Sequence, residues 1–113
     1  MHEMALAESM VEIVESTARR SGATRVTEVR LELGALSHVE RDALAFCFDA
    51  VTRGGLADGA RLEIVATPGV AWCMPCGQSV AIDRRGEPCP RCGRYQLQVT
   101  AGDEMRLKDI VIA

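Results

Sequence analysis

At 113 residues the chain has room for one ordinary domain, or for a small domain carrying a smaller one. Apolar residues make up 48% of it but aromatics only 4%, so aliphatic side chains must fill the core. A net charge of −3 argues against a protein devoted to a phosphate backbone, no apolar run is long enough to span a bilayer, and Met-His-Glu-Met lacks the basic and apolar regions of an export signal.

The first periodic segment covers residues 4–20, where Leu6, Met10, Ile13, Val14 and Thr17 recur at helical spacing and Glu8, Glu12 and Glu15 take the opposite face. Arg19 and Arg20 fall in its last turn and Gly22 follows as a stop. Residues 27–33 alternate, with Val29, Leu31 and Leu33 against Glu28, Arg30 and Glu32, which predicts a half-buried strand ended by Gly34. A second helix is expected from Ser37, where Ser37 and Glu40 have the spacing of a capping box. Its apolar stripe reads Val39, Ala43, Phe46, Cys47 and Ala50, widened by Leu44, Phe48 and Val51. Cys47, with no ligand partner at suitable spacing, reads as a buried free thiol. Alternation returns over residues 60–66 and is broken by Pro68-Gly69.

From Ala71 to about Val99 the composition changes: four Cys, three Pro and little periodicity. This stretch reads as a mini-domain without a hydrophobic core of its own, folded by metal. After Gly102 a third strand, with Met105, Leu107, Ile110 and Ile112, rejoins the first sheet, its phase slipping near Asp109 as at a bulge. The fold class is therefore α+β: a small three-stranded sheet with two helices over residues 1–69 and 100–113, and a zinc-ribbon or rubredoxin-like domain inserted over 70–99. A crossover through the second helix makes strands one and two parallel and the third antiparallel.

Cys73-Met-Pro-Cys76 and Cys89-Pro-Arg-Cys92 stand twelve residues apart, and each is followed by a glycine, Gly77 or Gly93, able to take positive φ. Two such knuckles can wrap four thiolates around a tetrahedral Zn²⁺; two disulfides are the alternative. Five cysteines with no export signal fit a reducing cytoplasm better than a disulfide scaffold. Four thiolates saturate zinc, so the site is structural by default and a metallohydrolase is disfavoured. A zinc ribbon acting on nucleic acid or as a scaffold is the rival reading. Against it, Arg84, Arg85, Arg91 and Arg94 are offset by Asp83 and Glu87, and Trp72 and Tyr95 make a thin stacking platform.

At the other end, a free α-amine, the His2 imidazole and the backbone nitrogens of His2 and Glu3 lie within a few bonds of one another. Such a set can chelate Ni²⁺ or Cu²⁺, which accept square-planar geometry; the alternative is a polar histidine preceding a helix. Together with Gly34-x-x-Ser37, Phe46-x-Phe48, Gly59-Ala60-x-Leu62, the two cysteine pairs and Gly102-Asp103-Glu104-Met105-Arg106-Leu107, the Met1-His2-Glu3 start resembles the HypA family of nickel metallochaperones across the whole chain.

The resemblance implies a non-enzymatic protein that carries Ni(II) as cargo on Met1, His2 and Glu3, with structural Zn(II) on Cys73, Cys76, Cys89 and Cys92. It implies a cytoplasmic protein serving [NiFe]-hydrogenase maturation, with the HypB GTPase and the hydrogenase large subunit as partners and a homodimer among the allowed assemblies; neither nucleic acid nor membrane is a partner. In some members a carboxylate at the position of Glu40 lies near the nickel. No histidine flanks the cysteine pairs here, which favours hydrogenase over urease. No P-loop motif is present, so nucleotide dependence would come from the partner. The exposed face of the first helix, with Glu8, Glu12 and Glu15, is a candidate partner surface.

Overall fold

The computed structural model describes residues 2–113. The elements run α1 (His2–Arg20), β1 (Val26–Gly34), α2 (Arg41–Thr52), β2 (Arg61–Thr67), β3 (Gly69–Cys73), β4 (Gln78–Ile82), β5 (Leu97–Ala101) and β6 (Met105–Ile112). They form two three-stranded sheets, β2-β1-β6 and β4-β3-β5, so the α+β class and the return of the last strand to the first sheet hold. Val26 N–H bonds the Leu56 carbonyl at one end of β1 and Ala35 N–H bonds Thr67 at the other, so β1 and β2 run in the same direction. Bonds from Ala113 to Arg25 and from Gly34 to Glu104 set β6 antiparallel to β1. No helix among the described residues is long and apolar enough to cross a membrane.

Two compact units result. One comprises the described residues up to Leu31 with Val39–Val65 and Arg106–Ala113; the other comprises Glu32–His38 and Ala66–Met105. The thiolate-bearing unit therefore takes in more chain than residues 70–99.

In the first unit α1 packs on α2. Its buried face is Glu3, Ala7, Met10, Val11, Val14 and Ala18. At about 100° per residue, this face is turned by some 60° from the stripe drawn through Leu6 and Ile13, and Ile13 is 49% exposed. Small side chains set the face: Ala7 and Ala18 are fully buried, whereas the expected stripe favoured the large apolar residues. The helix ends in a Schellman pair, Ala23 N–H to Ala18 and Gly22 N–H to Arg19, at 2.9 and 3.0 Å. On β1, Val29, Leu31 and Leu33 are buried as the alternation predicts. The break in apolar phase at Asp109 has an electrostatic cause. Asp109 keeps the parity of Met105 and Leu107, and its carboxylate takes both arms of the Arg30 fork at 2.5 and 2.6 Å.

The capping box at Ser37 is not formed. Helix α2 starts at Arg41 with Glu40 as its N-cap; the Glu40 carboxylate accepts from Asp42 N–H at 3.0 Å. The Glu40 N–H that a capping box would give to Ser37 goes to the Glu3 carboxylate at 3.2 Å. The inward face of α2 is Leu44, Cys47, Phe48 and Thr52. Phe46, expected on the stripe, is 73% exposed, whereas Cys47 is buried as expected.

In the second unit three glycines meet. A Cβ on Gly34 would stand 2.0 Å from the Gly102 carbonyl oxygen, one on Gly102 would stand 2.5 Å from Gly69 Cα, and one on Gly69 would stand 2.5 Å from the Ile82 carbonyl oxygen. This crossing lets Leu36 N–H reach the Gly102 carbonyl at 2.8 Å and carries the Leu36 side chain, 3% exposed, into the second core.

Candidate metal centre

The stretch from Ala71 to about Val99, expected to show little periodicity, carries most of the antiparallel sheet β4-β3-β5. Its inward positions are Ala71, Cys73, Val80 and Ile82, which cluster with Leu36 and Cys89; Cys76, Leu97 and Val99 pack against them. The module thus has a small core after all, in which the sulfurs are part of the filling. Leu36, from the segment after β1, is a contributor that the composition of 70–99 could not reveal.

The two knuckles are built alike. Cys73 ends β3, and the N–H of Gly77, a residue at φ 64°, bonds the Cys73 carbonyl at 2.8 Å. Gly93 at φ 74° does the same to Cys89 at 2.9 Å. The positive φ expected of both glycines is observed, and it lets the chain turn away directly after each second cysteine. Arg91 N–H also donates to the Cys89 sulfur at 3.4 Å.

All four sulfurs lie within 4.8 Å of one another, Cys73 to Cys92 at 3.7 Å and Cys76 to Cys89 at 4.0 Å. A tetrahedral ion with metal–sulfur bonds of about 2.3 Å requires sulfur–sulfur edges of roughly 3.8 Å, close to the two cross-knuckle separations, so the donor set suits a zinc-sized ion. All five cysteines are free thiols, and the two-disulfide alternative is not realised. Among the described residues this quartet is the one cluster of three or more metal-ligating side chains.

The thiols titrate unevenly. N–H groups of Cys92 and Arg91 aimed at the Cys89 sulfur lower that thiol to about 6. The neighbouring Cys73 and Cys92 sulfurs, then burial, push Cys76 up to about 12, and burial raises Cys73. One thiolate forms readily and its neighbours then resist ionising, so full deprotonation needs a cation at the centre. With four sulfurs on the ion, no position remains for substrate.

The N-terminal candidates behave differently. His2 is exposed and opens α1, two residues earlier than the periodicity suggested. Its Nδ1 lies 3.6 Å from Glu3 Oε1. Glu3 is buried at 8% exposure, and the Glu40 N–H on its other oxygen holds its carboxyl below the usual range. The structure brings His2 and Glu3 together; Met1 lies outside the described residues. The Glu3–Glu40 bond pins the start of α1 to the start of α2, a role for Glu3 that no motif disclosed. The arginines counted for a nucleic-acid surface are partly committed, since Arg85 bonds the Leu36 carbonyl at 3.1 Å and Asp103 at 3.4 Å.

The chain matches the family model described as HypA, hydrogenase/urease nickel incorporation, metallochaperone, over residues 1–112. It is 57% identical over 112 residues to the hydrogenase maturation factor HypA of Rhodopseudomonas palustris strain BisB5, with 99% of each chain covered. It is 54% identical, with the same coverage, to the hydrogenase maturation factor HypA of Azotobacter vinelandii. In fold it is similar to the solution structure of the nickel metallochaperone HypA from Helicobacter pylori, with a TM-score of 0.72, 23% identity, and 99% of this chain and 97% of that one covered. With a four-cysteine metal site and a match along essentially its whole length, the chain belongs to the HypA family of nickel-incorporation metallochaperones, carriers rather than catalysts.

Proposed function

We propose that this chain carries Ni(II) for [NiFe]-hydrogenase maturation on the α-amine of Met1, the His2 imidazole and the backbone nitrogens of His2 and Glu3, while Cys73, Cys76, Cys89 and Cys92 hold a structural zinc. The observation that carries the reading is the division of labour between the two ends of the donor inventory. The quartet is saturated and built into a core, whereas His2 stands exposed at the first turn of α1. The first N–H groups of a helix have no intrahelical carbonyl to bond, so metal binding to the amides of residues 2 and 3 breaks no helical ladder.

Holding and releasing follow from the same donors. The amine, imidazole and amides must all lose protons to ligate, so acid or a competing ligand set dismantles the site. The positive end of the α1 dipole disfavours the cation by a few tenths to about 1 kcal/mol, which weakens retention. The Glu3 carboxylate, fixed by Glu40 N–H, keeps the backbone of residues 2 and 3 in place as the metal comes and goes. Glu40 serves α2 as a cap in this arrangement, and its carboxylate is engaged by Asp42 N–H. Zinc is the ion a closed tetrahedral thiolate set favours. The absence of histidines beside the knuckles supports hydrogenase over urease, and the absence of a P-loop supports a HypB-type GTPase as partner, with the hydrogenase large subunit as recipient.

The test is a nickel titration of the zinc-loaded protein in three forms: native start, one residue added before Met1, and His2→Ala. Both changes are expected to abolish the nickel site while zinc stays bound. Nickel binding that survives both would remove His2 and the amine from the ligand set.

A further inference from the structure

We propose that the thiolate quartet is a peroxide-responsive latch whose oxidation links the two knuckles to each other, Cys73 to Cys92 and Cys76 to Cys89, rather than closing a disulfide within either knuckle. It rests on the reading of the quartet as a zinc site, and its observations are burial and distance. Each knuckle supplies one buried sulfur, Cys73 or Cys89, and one that solvent reaches, half-buried Cys76 or exposed Cys92. Two of the sulfur contacts join unlike members across the knuckles: exposed Cys92 lies 3.7 Å from buried Cys73, and half-buried Cys76 lies 4.0 Å from buried Cys89. In each contact the accessible thiol is the point of attack and the buried one is the resolving partner.

The chemistry balances with hydrogen peroxide as the oxidant. The Cys92 thiolate attacks one peroxide oxygen, the O–O bond breaks, and the departing oxygen leaves as water, giving a sulfenic acid. The Cys73 thiolate then attacks the Cys92 sulfur, the S–O bond breaks, and the second oxygen leaves as water. Two thiols and one peroxide become one disulfide and two waters; a second peroxide does the same for Cys76 and Cys89. A disulfide needs sulfurs at about 2.05 Å, so each pair closes by less than 2 Å from its present separation. The first bridge removes two thiolates and thereby releases zinc. The bridges join the same chain segments that the ion joins, the β3 hairpin and the loop bearing Cys89 and Cys92, so the module keeps its closure. Bridges within the knuckles would leave that loop without a covalent link to the β3 hairpin. A thiol reductant reverses the change.

The sequence permits a clean test. Met74 separates Cys73 from Cys76, and Arg91 separates Cys89 from Cys92, so cyanogen bromide followed by trypsin puts each cysteine of the quartet on its own fragment. The zinc-loaded full chain is treated with limiting hydrogen peroxide, free thiols are alkylated, and linked fragments are identified by mass spectrometry while a chromogenic chelator reads the released zinc. The expected result is a Cys73–Cys92 link first and a Cys76–Cys89 link second. Zinc is lost completely with the first link, Cys47 stays unmodified, and zinc binding returns after reduction. Predominance of Cys73–Cys76 or Cys89–Cys92 links, accumulation of sulfinic acid without links, or retention of zinc while Cys47 oxidises would each overturn the proposal.

Discussion

The two donor regions of this molecule are built on opposite plans. The cysteine quartet is over-determined: two knuckles closed by glycine-directed hydrogen bonds, four sulfurs within 4.8 Å, and a core packed around them. The N-terminal region is sparse, with one exposed imidazole beside one buried carboxylate whose partner is a backbone amide. A metal that completes a core, removed with nothing to replace its bonds, takes that core with it, whereas a metal held at the first turn of a helix would leave the fold intact. On the proposed assignment retention and delivery are separable, because the two donor regions lie in different compact units.

The sharpest way to break that comparison is to strip the zinc. Structural zinc contributes on the order of 10 kcal/mol to small metal-folded modules, so chelation should erase amide-exchange protection in β3, β4 and β5 and leave α1 and α2 protected; loss of protection in both units would dissolve the distinction. Next in size, Gly34→Ala drives a methyl into the Gly102 carbonyl 2.0 Å away, backbone against backbone. It should cost more than about 3 kcal/mol in chemical denaturation, a value reserved for strain of this kind. In the other unit, Leu44→Ala at 1% exposure should cost about 2–5 kcal/mol with zinc still bound. Phe46→Ala, at 73% exposure, should stay within about 0.5 kcal/mol; reversed values would restore the stripe drawn from spacing alone.

The smallest expected effect is a pH dependence. The Arg30 fork holds the Asp109 carboxyl below its ordinary value, and the same pair raises Arg30 further. A group with a depressed folded-state pKa contributes stability that is fully present above its unfolded pKa and is lost as pH falls through the folded one. Asp109→Asn should therefore flatten the acid limb of the stability curve below about pH 4, the ordinary aspartate range, and leave its neutral part nearly level. An unchanged acid limb would remove Asp109 from the account.

What was legible in the chain followed the length of its patterns. Alternation along β1 and helical spacing along α1 each persist long enough for the period to declare itself, although the face of α1 turned because Ala7 and Ala18 weigh little on a hydrophobicity count. β3, β4 and β5 are five residues each, and their inward positions include Cys73 and Ala71, so no period stood out. Both knuckle glycines and all four sulfurs were readable because tetrahedral coordination imposes its own spacing. The capping box failed for a reason outside its own four residues, since Glu3, distant in sequence, already holds the Glu40 N–H. The crossing of Gly34, Gly69 and Gly102 is likewise a meeting of three distant positions, visible only once the chain is folded.

The separation of the two metals is tested most directly by nickel K-edge X-ray absorption on protein carrying both zinc and nickel. The expected nickel shell is one of nitrogen donors with no sulfur scattering, alongside a zinc edge that reports four sulfurs. Sulfur in the nickel shell would place the cargo in the quartet and contradict that separation.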